Sequence, residues 1–168
     1  MPYDFLIDTY ETERVKVVSV WSEFSDKDLY VGAPPLPQQE TRLEFIKRYA
    51  EDSGQRVRVL REKRDLWWEE DTNFFDVRRS RAWVMTRRLT HTSHHRGQLM
   101  AMLRMLDRDL HSNYGPTADT GGLMQDKAPT IYAYTSLQAL LNGEAAGGAK
   151  KPFPEPSGKP VTERPAPR

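Results

Sequence analysis

Apolar residues recur every three or four positions along three long stretches of the chain, which is the spacing of one buried face of an α-helix. The first stretch runs from Asp4 to Phe24, the second starts between about Gln38 and Thr41 and runs to about Lys63, and the third runs from Ser80 to Leu110. Thr41 and Glu44 have the spacing of a capping box, and Ser80 is a good N-cap for the third stretch. The pattern therefore predicts an all-α fold built on three long helices, with residues 1–144 as one domain.

Shorter elements are expected between and after these helices. Prolines interrupt the segment from Ser25 to Pro37, which predicts a short connection rather than a helix. The other expected elements are a turn at Leu66–Trp68 capped by Asp65, an extended segment at Asn73–Val77, a loop at Thr117–Pro129, a short strand at Thr130–Tyr134 and a short capped helix at Ser136–Leu141.

The last part of the chain has a different composition. Six of the 24 residues from Ala145 onward are proline, with Gly, Lys and Glu between them. A segment of this kind buries too little apolar surface to offset the entropy of ordering, so residues 145–168 are predicted to be a disordered tail. Its five Lys/Arg and two Glu give it a net charge of +3, which leaves residues 1–144 at −2.

Composition excludes several classes of function. The chain has no cysteine, so a metal site must use histidine and carboxylate ligands. No apolar run reaches the roughly 20 residues that cross a bilayer, and the N-terminus lacks a signal sequence, so we expect a cytoplasmic protein with no membrane partner. The negative charge of residues 1–144 argues against nucleic-acid binding, and the arginines between Arg78 and Arg108 are interpreted as a solvated face.

The histidines of the third stretch are the candidate functional residues. Its apolar pattern places His95 on the inner face of the helix, with His91 one turn earlier on nearly the same face. His94 lies about 100° away around the helix. Two histidines one turn apart can ligate one zinc-like ion, or they can be core residues that hydrogen-bond to neighbours. Thr92 stands where zinc proteases carry a general-base glutamate, so protease chemistry of that kind is not expected. The members of the inner stripe are Met85, Leu89, Thr92, His95, Leu99, Met102, Leu106 and Leu110.

Several motifs together resemble the DinB-like family of proposed metalloenzymes, over roughly residues 4–142. The residues that carry the resemblance are Asp8-Thr9-Tyr10-Glu11-Thr12-Glu13, Val20-Trp21-Ser22, Arg81-Ala82-Trp83-Val84, His91-Thr92-Ser93-His94-His95-Arg96-Gly97-Gln98 and the run from Asn113 to Leu123.

The resemblance implies an up-and-down four-helix bundle that holds a divalent metal ion, zinc or nickel, on three histidines. Two of these match His91 and His95. The third lies in the family's second helix, and here only Ser25 to Pro37 separate the first helix from the next, with no histidine among them. About three long helices are therefore expected in place of four.

A missing helix would leave an exposed groove beside the two histidines. A second copy of the chain can cover such a groove, so a homodimer is expected. The third ligand could then come from Asp8, from Glu11 or from a partner chain, since two histidines and one carboxylate form a sound ligand set.

Two functions remain open at the level of sequence. The first is a metal-dependent enzyme, a transferase or hydrolase that acts on a small-molecule substrate. The second is a non-catalytic helical protein or dimerisation module in which His91 and His95 are core residues.

Overall fold

The structure is a computed structural model of the 168-residue chain, and it describes residues 1–26, 28, 40–122, 124 and 127–154. It is mostly helical, and its only sheet within these ranges is a two-stranded hairpin. The elements are α1 Asp4–Trp21, α2 Arg42–Arg61, α3 Asp65–Glu69, β1 Asp71–Phe74, β2 Val77–Ser80, α4 Arg81–Met105 and α5 Leu137–Ala145, with a 3-10 turn at Ala118–Thr120. The predicted all-α class is confirmed at this level.

The three predicted long helices are α1, α2 and α4. The capping box of α2 is confirmed: the Thr41 side chain accepts a hydrogen bond from the backbone N–H of Glu44, whose carboxylate accepts one from the Thr41 N–H at 2.8 Å. Ser80 caps α4 by accepting a bond from the N–H of Trp83 at 3.2 Å. The connection predicted at Ser25–Pro37 falls mostly on residues 27 and 29–39, which are outside the described residues.

The segment between α2 and α4 differs in detail from its prediction. Asp65 is the first residue of α3 and not its cap, which is Arg64 with no side-chain cap bond. The predicted extended segment at Asn73–Val77 is instead the tip of an antiparallel hairpin, in which Phe74 pairs with Val77. Phe75 takes a positive φ of 54° at the turn and is 89% exposed.

Two elements were predicted after α4, a short strand and a short helix; the first prediction is wrong and the second is confirmed. No strand forms among the described residues at Thr130–Tyr134; the segment is held to Ser112 by two hydrogen bonds, of 2.8 and 2.9 Å, without a ladder. The predicted capped helix at Ser136–Leu141 is confirmed as α5, which continues to Ala145.

The first ten residues of the predicted disordered tail pack against the rest of the chain. Lys150 donates to the Ser22 carbonyl at 3.1 Å and to Glu144 at 3.2 Å. The Phe153 ring lies 4.3 Å from the His111 ring. Composition alone missed these contacts because they depend on partners distant in sequence. Residues 155–168 lie outside the described ranges.

The core is organised around α1, which packs against α2, α4 and α5. Its residues Leu6, Ile7 and Tyr10 form one apolar cluster with α2, Trp68 of α3 and Leu89 of α4. At the other end, Val18 joins a cluster with α2 and α5. Within the part of the chain that the structure describes, no helix is both long and apolar enough to cross a membrane.

Candidate metal centre and the cavity beside it

Two histidines of α4 lie with their ring nitrogens in contact. His91 and His95 are one helical turn apart, so their side chains project from the same face. Their Nε2 atoms are 2.7 Å apart and their ring centroids 4.5 Å. At this distance one Nε2–H donates to the other Nε2, so both nitrogens point at one place, where an ion bound by both imidazoles would replace the shared proton.

Gln98 orients one of the two rings. Its Oε1 accepts a hydrogen bond from Nδ1 of His95 at 2.8 Å. A neutral His95 that donates through Nδ1 carries its lone pair on Nε2, the atom that faces His91. A hydrogen bond of this kind is what fixes the tautomer of metal-binding histidines.

The charge state of His91 also suits a metal ligand. Desolvation is the largest cause that lowers its pKa below the ordinary value, and His95 and the cationic Arg87 lower it further. The neutral imidazole is therefore favoured, and only that form has a lone pair for a metal ion.

His95 is exposed, which corrects the prediction that it points into the core. The buried face of α4 instead carries Leu89, Arg96 and Leu103, spaced seven apart. Met102, which the pattern assigned to the core, is 54% exposed. The apolar pattern placed His95 on the inner face, but its neighbour Arg96 lies there. The predicted inner face is therefore rotated by about 100° from the observed one.

The carboxylates considered as third ligand are engaged elsewhere. Arg61 of α2 donates to Asp8 at 2.7 Å and also pairs with Glu11. Among the residues with described positions, no group of three His, Cys, Asp or Glu side chains is placed to hold a metal ion. The structure therefore brings His91 and His95 together and does not bring Asp8 or Glu11 to them.

A buried ion pair, which the apolar pattern of the sequence did not predict, joins Glu13 of α1 to Arg96 of α4. Both residues are at most 5% exposed. The hydroxyl of Tyr114 donates to Glu13 at 2.9 Å and accepts from Arg96, and Ser93 donates to Glu13 at 3.1 Å. Burial alone would raise the pKa of Glu13, but the bonds from Arg96, Tyr114 and Ser93 outweigh it and lower the pKa. We call Glu13, Arg96 and the Tyr114 hydroxyl the inner cluster.

A signal for the inner cluster was present in the sequence. Glu13 lies three residues after Tyr10 and four before Val17, on the apolar stripe of α1. Arg96 likewise lies seven residues from Leu89 and from Leu103 on α4. An acid and a base that interrupt two apolar stripes of neighbouring helices are candidates for a buried pair.

A cavity of about 380 Å³ lies beside the histidine pair, between α1, α2, α3, β1 and α4. Arg88 and Thr92 line it, and these residues come three positions before His91 and His95 respectively. Residues three apart on a helix are neighbours, so each histidine is close to a lining residue, although neither histidine itself lines the cavity. The cavity has walls from four helices and a strand, and the exposed groove expected beside the histidines stays a prediction.

Comparison with known proteins adds no assignment: the chain matches no family model, no curated protein and no solved structure.

Proposed function

We propose that the chain is a DinB-like, metal-dependent enzyme that holds one divalent ion, zinc or nickel, on His91 and His95. The observation that carries the proposal is the convergence of the two Nε2 atoms, 2.7 Å apart, on an exposed helix face. Two neutral imidazoles are chemically suited to either ion. The lowered pKa of His91 and the Gln98 contact to His95 support the same role.

His91 and His95 are suitable ligands for such an ion, but they supply only part of its coordination. Two imidazoles supply two ligands, and the described residues bring no third side chain to them. Water or a donor from a second chain would complete the coordination. Because two ligands on one helix hold an ion from one side only, we expect weak binding that a mild chelator reverses without loss of helical signal.

Each residue of the site has a distinct role in this proposal. A bound divalent ion supplies Lewis acidity. His91 and His95 hold it, and Gln98 keeps the Nε2 lone pair of His95 directed towards Nε2 of His91. The cavity beside Arg88 has the size of a small-molecule site, since such pockets span about 300–1,000 Å³. Transfer or hydrolysis of a small molecule bound there is the reaction class that we propose.

The bundle is the second part of the proposal. In this proposal the long helices α1, α2 and α4 are three of the helices of an up-and-down bundle of the DinB-like type, and their presence supports it. Residues 27 and 29–39 occupy the place in the chain where that family has a further helix with its third histidine. This segment contains no histidine, so the ligand set differs from the one the resemblance implies.

A second candidate function, dimerisation, is favoured by the exposed face of α4. His91, His95, Gln98, Met102 and Leu106 project within about 80° of one another around the helix. Met102 and Leu106 are 54% and 42% exposed, so an apolar stripe continues from the histidines towards the end of α4. A second copy packed on this face about a two-fold axis would cover the stripe and bring its own histidines to the ion.

Metal content after purification tests the metal site. We expect wild-type protein dialysed against trace zinc to retain up to one ion per chain, and His91→Ala and His95→Ala to lose it. His94→Ala is the matched control, because the His94 ring contacts His95 edge to face and does not share the Nε2 contact. Equal metal content in all four proteins would contradict the proposal.

Sedimentation of the same samples tests the dimer. A shared site predicts one zinc ion per two chains and a dimer that Met102→Glu and a chelator both weaken. A monomer that binds one ion per chain would contradict dimerisation and leave the metal site in place.

A further inference from the structure

We infer that the cavity beside α4 binds a small organic carboxylate with a planar apolar body. Binding of this ligand is a property separate from metal binding, because it does not require a bound ion. Only its role as the substrate rests on the proposed function.

The apolar wall of the cavity suits a flat molecule. Trp67 and Trp68 form one side, with their rings 5.0 Å apart and nearly perpendicular. Leu60 of α2 and Met85 of α4 contribute aliphatic surface. Aromatic rings gain most from a partner that stacks or meets them edge to face, so a planar ring fills this space best.

The charged part of the lining has one sign only. Arg56, Arg81 and Arg88 line the cavity, and among the residues that the structure describes no aspartate or glutamate does. This is unusual in a domain whose residues 1–144 carry a net charge of −2. A cavity lined by one sign of charge with apolar walls concentrates ligands of the opposite sign.

Two of these arginines are available to a ligand. Arg81 is already engaged, because it pairs with Glu70, donates to the Trp67 carbonyl at 3.0 Å and lies over the Trp67 ring. Arg56 and Arg88 have no ion pair or side-chain hydrogen bond to any described residue. The guanidinium fork binds a carboxylate through two parallel hydrogen bonds, so either residue can hold the anion.

Tyrosine hydroxyls add neutral donors to the same space. Tyr10 and Tyr49 line the cavity, and neither hydroxyl has a hydrogen-bond partner among the described residues. Burial raises the pKa of Tyr49 to about 12, so its phenol keeps its proton and can donate to a ligand oxygen.

Size and charge together favour a carboxylate over a nucleotide. A volume of about 380 Å³ is near the lower end of small-molecule pockets and suits a ligand of one or two rings. Two uncommitted guanidinium groups match a single carboxylate better than a chain of phosphates, and no glycine-rich phosphate loop is found in the described part of the lining. A carboxylate at Arg88 would stand one helical turn from His91, within reach of an ion held there.

Calorimetric titration of metal-free full-length protein with three probes tests the ligand class. The probes are 2-naphthoate, its neutral amide 2-naphthamide, and 2-naphthyl phosphate. We expect 2-naphthoate to bind at least about tenfold more tightly than the amide, because a charge-assisted bond to arginine is lost in the amide. Equal affinity of acid and amide, or no saturable binding of the acid, would overturn the inference. Tighter binding of the phosphate than of the acid would overturn the carboxylate assignment.

Matched arginine variants test the location of the site. Arg88→Gln and Arg56→Gln should each weaken 2-naphthoate by about tenfold and leave 2-naphthamide unchanged. Arg87→Gln and Arg58→Gln are the controls, since they remove the same charge from the same helices but do not line the cavity. Equal effects of the lining and control variants would show only a general charge effect and overturn the inference.

Tryptophan NMR signals give a second readout that does not depend on affinity. The indole N–H signals of Trp67 and Trp68 should shift on titration with 2-naphthoate, whereas that of Trp83, which does not line the cavity, should stay in place. The reverse pattern would place the ligand elsewhere and overturn the inference.

Histidine variants separate this inference from the proposed function. His91→Ala with unchanged 2-naphthoate binding supports the cavity as a site of its own, whatever its metal content. Metal binding without any 2-naphthoate binding would sustain the proposed metal site and overturn the inference.

Discussion

His95 and Arg96 are neighbours on α4, yet they have opposite environments. Arg96 is 2% exposed and belongs to the inner cluster, where Glu13 and Tyr114 satisfy its charge and its hydrogen bonds. His95 is exposed, and its contacts are the ring of His91 and the side chain of Gln98. Polar residues thus have two uses on this helix. The inner cluster determines which face of α4 packs against α1. The outer pair, His91 and His95, stays accessible to a ligand.

The inner cluster gives α4 a specific rotation against α1. A buried charge that loses its hydrogen-bonded partner is costly, so rotating α4 by one residue would bury His95 and leave Glu13 with only the longer ion pair to Lys16, at 3.7 Å. Apolar packing alone would discriminate less, because Met, Leu and Ala occupy several faces of this helix. The outer pair is a consequence of that choice, since it lies about 100° or more from the buried face.

Breaking the ion pair should have the largest effect on stability. Arg96→Met removes the hydrogen-bonded cation from the buried Glu13 carboxylate and leaves Lys16, 3.7 Å away, as its remaining cationic partner, so we expect the free energy of unfolding to fall by about 3 kcal/mol. Urea denaturation followed by circular dichroism measures the change.

Two controls sharpen this test. Arg87→Met on the exposed side of α4 should change the free energy of unfolding by less than about 0.5 kcal/mol. The double variant Glu13→Met/Arg96→Met should recover most of the lost stability, because apolar side chains of similar volume often replace a buried ion pair at little cost. Equal losses in the single and double variants would show that packing, and not the unpaired charge, is responsible.

A second comparison of neighbours tests the rotation of α4 directly. Leu103 is fully buried and Met102 is 54% exposed, although the sequence pattern assigned Met102 to the core. Leu103→Ala should cost about 2–5 kcal/mol of unfolding free energy, while Met102→Ala should cost less than about 0.5 kcal/mol. A larger loss for Met102→Ala would restore the rotation predicted from the sequence.

The elements of the fold were largely predictable, and the rotation of α4 was not. Helix starts follow from local chemistry, so Thr41 and Ser80 were recognised as caps from sequence alone. The inner face of α4 depends on Glu13, which lies 83 residues away from Arg96. An arginine counts as a surface residue until such a partner is known.

The candidate site was predictable only in part. The histidine pair is local, since residues four apart on any helix are neighbours. The cavity is not local, because it combines Arg56 of α2 with Arg88 of α4 and with the tryptophans of α3. No periodicity within one segment reports which side chains of separate helices share a space.

Loss of the Gln98 contact should weaken metal binding without affecting the fold. Gln98→Leu removes the acceptor that holds Nδ1–H of His95, and losing a hydrogen bond that orients a metal-binding histidine costs roughly 10–100-fold in metal affinity. Competition with a zinc indicator measures the affinity, and the urea midpoint should stay within error because Gln98 is exposed. Unchanged zinc affinity would mean that His95 is not held in this tautomer when it binds the ion.

The smallest expected effect is on the titration of His111 and His91, whose pKa values should differ from the ordinary histidine value in opposite directions. Burial alone would lower the pKa of His111, but its hydrogen bonds to Glu23 and to the Lys151 carbonyl outweigh it and raise the pKa above 6.5. The pKa of His91 is lowered, so NMR titration of the ring protons should place the midpoint of His111 above 6.5 and that of His91 below it.

The raised pKa of His111 also predicts the direction in which the free energy of unfolding changes with pH. A folded-state pKa above the unfolded value means that the stabilisation is fully present below about pH 6.5 and is lost as the pH rises through the folded-state pKa. Wild-type protein should therefore lose part of its unfolding free energy over that window, and His111→Asn, which does not titrate, should lose less. The contact to Lys151 belongs to the segment that follows α5, so proteolysis within residues 147–154 should become faster over the same window. A midpoint of His111 below that of His91, or identical pH profiles for wild type and His111→Asn, would show that the charged contact to Glu23 does not hold this segment in solution.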